Sequence, residues 1–381
     1  MALTCIAGMG RWSMVIAPAC AVALGAAGGG LGAGAADEET VPPPKTLVVA
    51  HGPIAAFAQD GSYIAWASAD EPPGCVWRVR VRSLATQRQY RVNRSGGPTC
   101  QSATGFDLAH PSYLALARTR ALWTLFEQGN NTYTRLITGR VGAKRETALE
   151  ELVYANSSFQ EGWHLGGLAG DGKTLVYGKA RVGVRGPPDC DIQGTCSTVI
   201  DAGGVQRVVG RSARAVAGAL PPMAVSSSGG RVASVIARHG GPSIGTGTQP
   251  GIEIRYATTG ALVRRFAVAR APLTIALSRT RVVILVRTPG ARRLLRYSVA
   301  GALLDGRSIP SAGGSVSVNG ARVVFAVGRS IKLWDESGAV TVLALAAARP
   351  IGLSIEGNRV AWAENVTIDG SLRGRIRALT L

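Results

Sequence analysis

Lysine is scarce in this 381-residue chain, occurring only at Lys45, Lys144, Lys173, Lys179 and Lys332. The formal net charge is nevertheless +19, so arginine supplies most of the positive charge. Only four histidines occur, His51, His110, His164 and His239, in no H-x-x-x-H or H-E-x-x-H spacing. That removes the local signature of a zinc hydrolase. Aromatic residues are 6% of the chain and are not interleaved with the arginines. A nucleic-acid footprint is a basic patch or stripe with stacking rings, so nucleic acid is not an expected partner. Spread through the chain, the charge reads as solubility. Attraction to an anionic cell-envelope polymer is the competing reading. Long amphipathic helical patterns are nearly absent. After the N-terminal region no segment is apolar for long enough to cross a membrane as a helix.

Glycine, at 50 residues, and a hydrophobic fraction of 46% describe a turn-dense β protein with a large core. Seven stretches share one template of short apolar strand, tight turn and second strand ending in small and apolar residues. They are 54–67, 105–118, 165–179, 223–237, 273–287, 315–328 and 351–364. A strand-only repeat of this length predicts a β-propeller. In the fourth repeat the four strands of a blade read 223–226, 231–237, 252–256 and 262–268. The fifth adds 294–297 and a strand from Leu303, and the sixth adds 331–334 and 340–345. The turns Asp60-Gly61, Asp171-Gly172, Gly229-Gly230 and Asn319-Gly320 tolerate positive φ. The second and fifth repeats carry His110-Pro111 and Arg279-Thr280 there instead. After 359–363 only 373–381 remains, so 46–50 is expected to supply the missing outer strand and join the two chain ends. The expectation is an all-β, single seven-bladed propeller over 46–381. Irregular spacing of Ile64, Leu114, Leu175, Val232, Val282, Val323 and Val360 leaves six or eight blades open.

The run from Phe57 to Trp66, with Asp60-Gly61 at its centre, resembles the S-P-D-G-x-x-I-A-F segment of TolB-type and WD-like propellers. The run from Leu168 to Tyr177 is similar, and Lys332-Leu333-Trp334-Asp335 resembles the W-D ending of a WD repeat. The Ser-Pro ahead of Asp-Gly is absent. The resemblance covers most of the chain at the level of fold, transfers no catalytic residue, and implies a protein or peptide partner.

Arg11, the apolar run 12–24 and the small-residue tail ending Ala33-Gly34-Ala35-Ala36 form a secretory leader over 1–36. An uncleaved anchor and a lipoprotein cleavage at Cys20 are the alternatives. Residues 37–45, with three prolines, read as a linker. The chain is therefore expected outside the cytoplasm, as a monomer. Four cysteines remain beyond the leader, and export favours the disulfides Cys75–Cys100 and Cys190–Cys196 over a metal site.

Strand alternation puts the a–b and c–d turns on one face and the b–c and d–a connections on the other. The long connections 68–74, 181–196, 238–251, 365–371, 142–163 and 211–222 all belong to the second face. Within them, Leu149, Leu152 and Val153 predict a short helix over 145–154. The innermost strands look poor in acid–base groups. Asp107 is the one carboxylate found in them, with His164 just before the third. These are the catalytic candidates of a channel-mouth hydrolase or lyase. No cofactor is expected: the glycine-rich run 25–34 lies in the leader and follows no strand. The leading expectation is a non-enzymatic binding scaffold that uses its long-loop face. The sequons at Asn93, Asn130, Asn156 and Asn365 read as chance matches.

Overall fold

In the computed structural model, residues 42–70, 76–93, 110–128, 131–155, 161–185, 197–236 and 250–381 are described. All the regular elements among them are antiparallel β-strands, and no described residue is helical. One four-stranded sheet comprises β2 (Ile54–Asp60), β3 (Tyr63–Ala69), β4 (Trp77–Ser83) and β5 (Gln89–Arg91), paired in that order. An eight-stranded sheet follows: β6 (His110–Ala117), β7 (Arg120–Gln128), β8 (Asn131–Arg140), β9 (Thr147–Ala155), β10 (Gly162–Asp171), β11 (Thr174–Arg185), β12 (Ser197–Val209) and β13 (Ser212–Ala215). Three further four-stranded sheets hold β14 (Pro222–Ser228) to β17 (Leu262–Ala267), β18 (Pro272–Leu277) to β21 (Leu303–Ile309), and β22 (Gly313–Asn319) to β25 (Val340–Leu345). Their middle strands are β15 (Arg231–Ile236), β16 (Gly251–Tyr256), β19 (Arg281–Thr288), β20 (Ala291–Ser298), β23 (Arg322–Val327) and β24 (Ser330–Trp334). The last sheet is β26 (Gly352–Glu356), β27 (Arg359–Ile368), β28 (Ser371–Thr380) and, outermost, β1 (Lys45–Val49). The N-terminal strand thus pairs with the C-terminal one, Lys45 opposite Ala378. This is a β-propeller architecture.

The core explains the composition of the second strand in each unit. Its residues face a neighbouring sheet on both sides, so it reads as a continuous apolar run rather than an alternating one. The fourth residue of that strand is buried in every unit: Trp66, Trp123, Tyr177, Ser234, Ile284, Phe325 and Trp362. The apolar clusters lie between successive units. One joins β23 and β24 to β26, β27 and β28 through Val324, Ile331, Val360 and Trp362. Another joins β28 to β2 and β3 through Ile376, Ile54 and Trp66. Outermost strands such as β17 and β25 are mainly exposed.

Several expectations are corrected. The residues expected to form a helix over 145–154 lie mostly in strand β9. A register shift at Leu136/Ile137 slips Leu149 out of the ladder. Leu149 and Leu152 consequently reach the same cluster three residues apart, which mimics a helical period. The second turn is not His110-Pro111, which opens β6, but Arg118-Thr119. Leu114 therefore belongs to an innermost strand, and its place in the series falls to Ala121. Arg118 adopts φ +52 where the first and third units use Gly61 and Gly172, so the usual glycine signal is missing. Residues 365–371 are no long loop: β27 and β28 extend to a two-residue turn, Asp369-Gly370. Asn365 and Asn93 are structural. Asn365 clasps Ile54 through Oδ1 (2.8 Å) and Nδ2 (3.0 Å), and Asn93 holds Val79 N and Trp77 O.

Candidate functional site

Strands β2, β6, β10, β14, β18, β22 and β26 bound a central cavity of about 730 Å³. Successive members of this set pack on each other, and β26 packs on β2. Glycine permits the closest approach: a Cβ at Gly170 of β10 would run into the Leu116 carbonyl of β6. Short polar side chains then stitch one strand to the next. Ser226 Oγ accepts from Leu277 N (3.0 Å), Ser278 Oγ donates to Gly320 O (2.7 Å), and Ser317 Oγ accepts from Ile355 N (3.2 Å). Gln59 Oε1 accepts from Arg359 Nε (2.9 Å).

Two carboxylates, Asp171 and Glu356, line this cavity and a third, Asp60, lies close enough for its charge to act on both, which corrects the expectation that the innermost strands lack them. Asp60, Asp171 and Glu356 are the last residues of β2, β10 and β26. Asp60 accepts the turn N–H groups of Arg118 (2.5 Å) and Gly172 (3.0 Å), and Asp171 accepts that of Gly229. Burial raises the Asp171 pKa; the Asp60 charge adds to this, and Gly229 N–H and Arg279 oppose it. Burial likewise raises Glu356, with Asp60 and Asp171 adding to it and Arg359 opposing. The three acids share one field. The sequence signal was available, since all three precede a turn glycine: Gly61, Gly172 and Gly357. Among the described residues, no group of three or more His, Cys, Asp and Glu could hold a metal ion.

Of the expected catalytic pair, His164 alone is among the described residues. His164 lies near the far end of β10, edge-on to Tyr154 with ring centroids 3.9 Å apart. Asp107, Cys75, Cys100, Cys190 and Cys196 fall outside the described residues. So does Gly241-Pro242-Ser243-Ile244-Gly245, which has nucleophile-elbow spacing.

At the opposite end lie the strand ends that the long connections 70–76, 92–109, 186–196 and 237–250 join; most residues of those connections fall outside the described ones. Carboxylate–arginine clamps sit at these sheet ends. Asp70 accepts from Arg78 (2.8 Å) and Arg80 (2.9 Å). Glu253, 1% exposed, accepts from Arg255, Arg265 and Leu220 N. Glu364, fully buried, accepts from Arg375 (2.6 Å) and Ala347 N (2.7 Å). Leu220 and Ala347 belong to inter-sheet connections, so the acids fix those connections to the sheet ends.

No protein-family model matches the chain, and no curated protein matches it in sequence. Solved structures with a similar course include the β-propeller domain of the trilobed protease from Pyrococcus furiosus. That match has 9% identity and a TM-score of 0.49, over 87% of this chain and 94% of that one. BamB from Moraxella catarrhalis matches at 11% identity and TM-score 0.40, over 86% and 85%. The PQQ-bound aldose sugar dehydrogenase of Streptomyces coelicolor matches at 10% identity and TM-score 0.43, over 88% and 96%. The propeller assignment rests on the strand pairing above.

Proposed function

We propose that the chain is a secreted, non-enzymatic, closed seven-bladed propeller. It binds a protein, a peptide or a cell-envelope polymer through its long-loop face. The eight-stranded sheet counts as two blades: its halves are joined by the single pair Gly162–Tyr154. They also bury Leu122, Leu136, Leu175 and Tyr177 in one cluster between them, which a flat sheet could not do. The β1–β28 pairing and the packing of β26 on β2 support closure. The observation that carries the binding reading is one-sidedness. The strand ends that the long connections join all lie at one end of the sheets, and that end is braced by the Asp70, Glu253 and Glu364 clamps. Variable loops on a rigid scaffold are the usual basis of a recognition surface. Pull-down from the secreting host's envelope fraction should lose its partner when 237–250 and 186–196 are shortened. Unchanged recovery would remove the proposal. N-terminal sequencing of exported protein should start near residue 37.

A channel-mouth hydrolase or lyase is the second reading. The raised carboxyls of Asp171 and Glu356 favour it, because perturbed acids collect at catalytic sites. A substrate screen that finds turnover in the wild type and none in Glu356→Gln would establish it.

A further inference from the structure

A second depression opens at the short-turn end. It encloses about 500 Å³ between the β8–β9 turn, the β12–β13 turn and the first residue of β7. Arg120, Arg140, Lys144, Arg145 and Arg211 line it, and no carboxylate does. The nearest acid in sequence, Glu146, lies outside the lining, and its charge is felt by Arg91.

This arrangement differs from the arginine–carboxylate clamps found elsewhere in the molecule. Arg78, Arg255, Arg296 and Arg375 each meet a carboxylate. Here the Arg211 Nε donates to the Thr147 hydroxyl (3.2 Å), a neutral group that leaves its charge in place. Burial and the Arg140 charge both push the Arg120 pKa down, the mark of cations crowded together. Arg140, Lys144, Arg145 and Arg211 are exposed at the rim, so their donors are open to a ligand.

We infer that this pocket binds a compact, multiply charged phosphate anion. Guanidinium forks match tetrahedral oxyanions two donors at a time. Several cations around one depression favour more than one phosphate group over a single one. No aromatic side chain lines the pocket, so it offers no platform for stacked bases. An anion seated there offsets the mutual repulsion of the cations and stabilises the fold by linkage. The inference does not depend on what the long-loop face recognises, since the two lie at opposite ends of the strands.

Isothermal titration of the full chain with inorganic tripolyphosphate tests this. One saturable equivalent is expected, with a rise in Tm and affinity that weakens with added salt. Arg140→Ala with Arg145→Ala should weaken binding at least about tenfold. Both side chains are exposed, and the melting curve of the unliganded variant reports whether the fold is kept. A control, Arg264→Ala with Arg287→Ala on other sheets, should change affinity less than about twofold. Citrate, which presents flat carboxylates at similar charge, should bind more weakly. No saturable binding, equal loss in the control, or citrate binding as tightly would each overturn the assignment.

Discussion

Glu253 is almost wholly removed from water, and its charge survives because protein donors replace the solvent. Burial pushes its pKa up, but bonds from Arg255, Arg265 and Leu220 N–H outweigh that and leave it below the ordinary value. A depressed carboxyl stabilises the fold above its unfolded pKa and loses that contribution as pH falls through the folded value. Glu253→Gln should therefore lower stability at neutral pH by about 3–5 kcal/mol, because it leaves two guanidiniums short of a charge partner. The deficit should shrink in acid, which melting curves at neutral and low pH will show. Glu356 has the opposite sign. Its raised pKa means that ionisation costs the folded state more than the unfolded one. Glu356→Gln should raise Tm at neutral pH, with the gain fading as pH falls through the raised value. A Tm gain that is the same at all pH values would remove the charge explanation. The partners differ in range: Arg255 and Arg265 lie near Glu253 in sequence, whereas Glu356 feels Asp60 and Asp171, which only the fold brings close.

At the scale of the strand, most elements were legible. The fourth repeat was read as 223–226, 231–237, 252–256 and 262–268, and it folds with those four strands within a residue or two. Clean apolar runs and glycine turns made this possible. Two of the failures involve one feature. Bulges offset the two-residue alternation, as at Pro111/Leu114 in β6 and Leu136/Ile137 beside β9. Bulges recur near the start of β2, β6, β10, β14, β18 and β22, where an inner strand must bend around the cavity. Arg118 is the element-scale weakness, holding a left-handed conformation that glycine supplies in the first and third units. Arg118→Gly should stabilise by up to about 1 kcal/mol by removing the Cβ clash. A lower Tm would mean that the arginine side chain makes a compensating contact. Gly170→Ala should act the other way, forcing β10 off the Leu116 carbonyl and lowering Tm by several degrees, of the order expected for about 1–3 kcal/mol of overpacking.

For the molecule as a whole, the two chain ends meet in one sheet. β1 covers the edge of β28, Ala50 N donates to Gly374 O (2.8 Å), and Arg377 reaches back to Pro44 O (2.9 Å). Deleting residues through Val49 should expose a long edge strand, lower Tm and shift the protein to higher-mass species on size-exclusion chromatography. A monomeric truncation with unchanged Tm would show that the terminal strand is dispensable. The sequence by itself determined the all-β class, the repeat and the strand that the N-terminus lends to the C-terminus. Those properties follow from local periodicity and turn chemistry, which neighbouring residues carry together. Only the tertiary structure decided which charges meet. Asp60 and Asp171 come close enough to act on Glu356, and Arg120, Arg140 and Arg211 gather around one pocket. Electrostatic partnership depends on distance in space, and the fold sets residues far apart in the chain side by side.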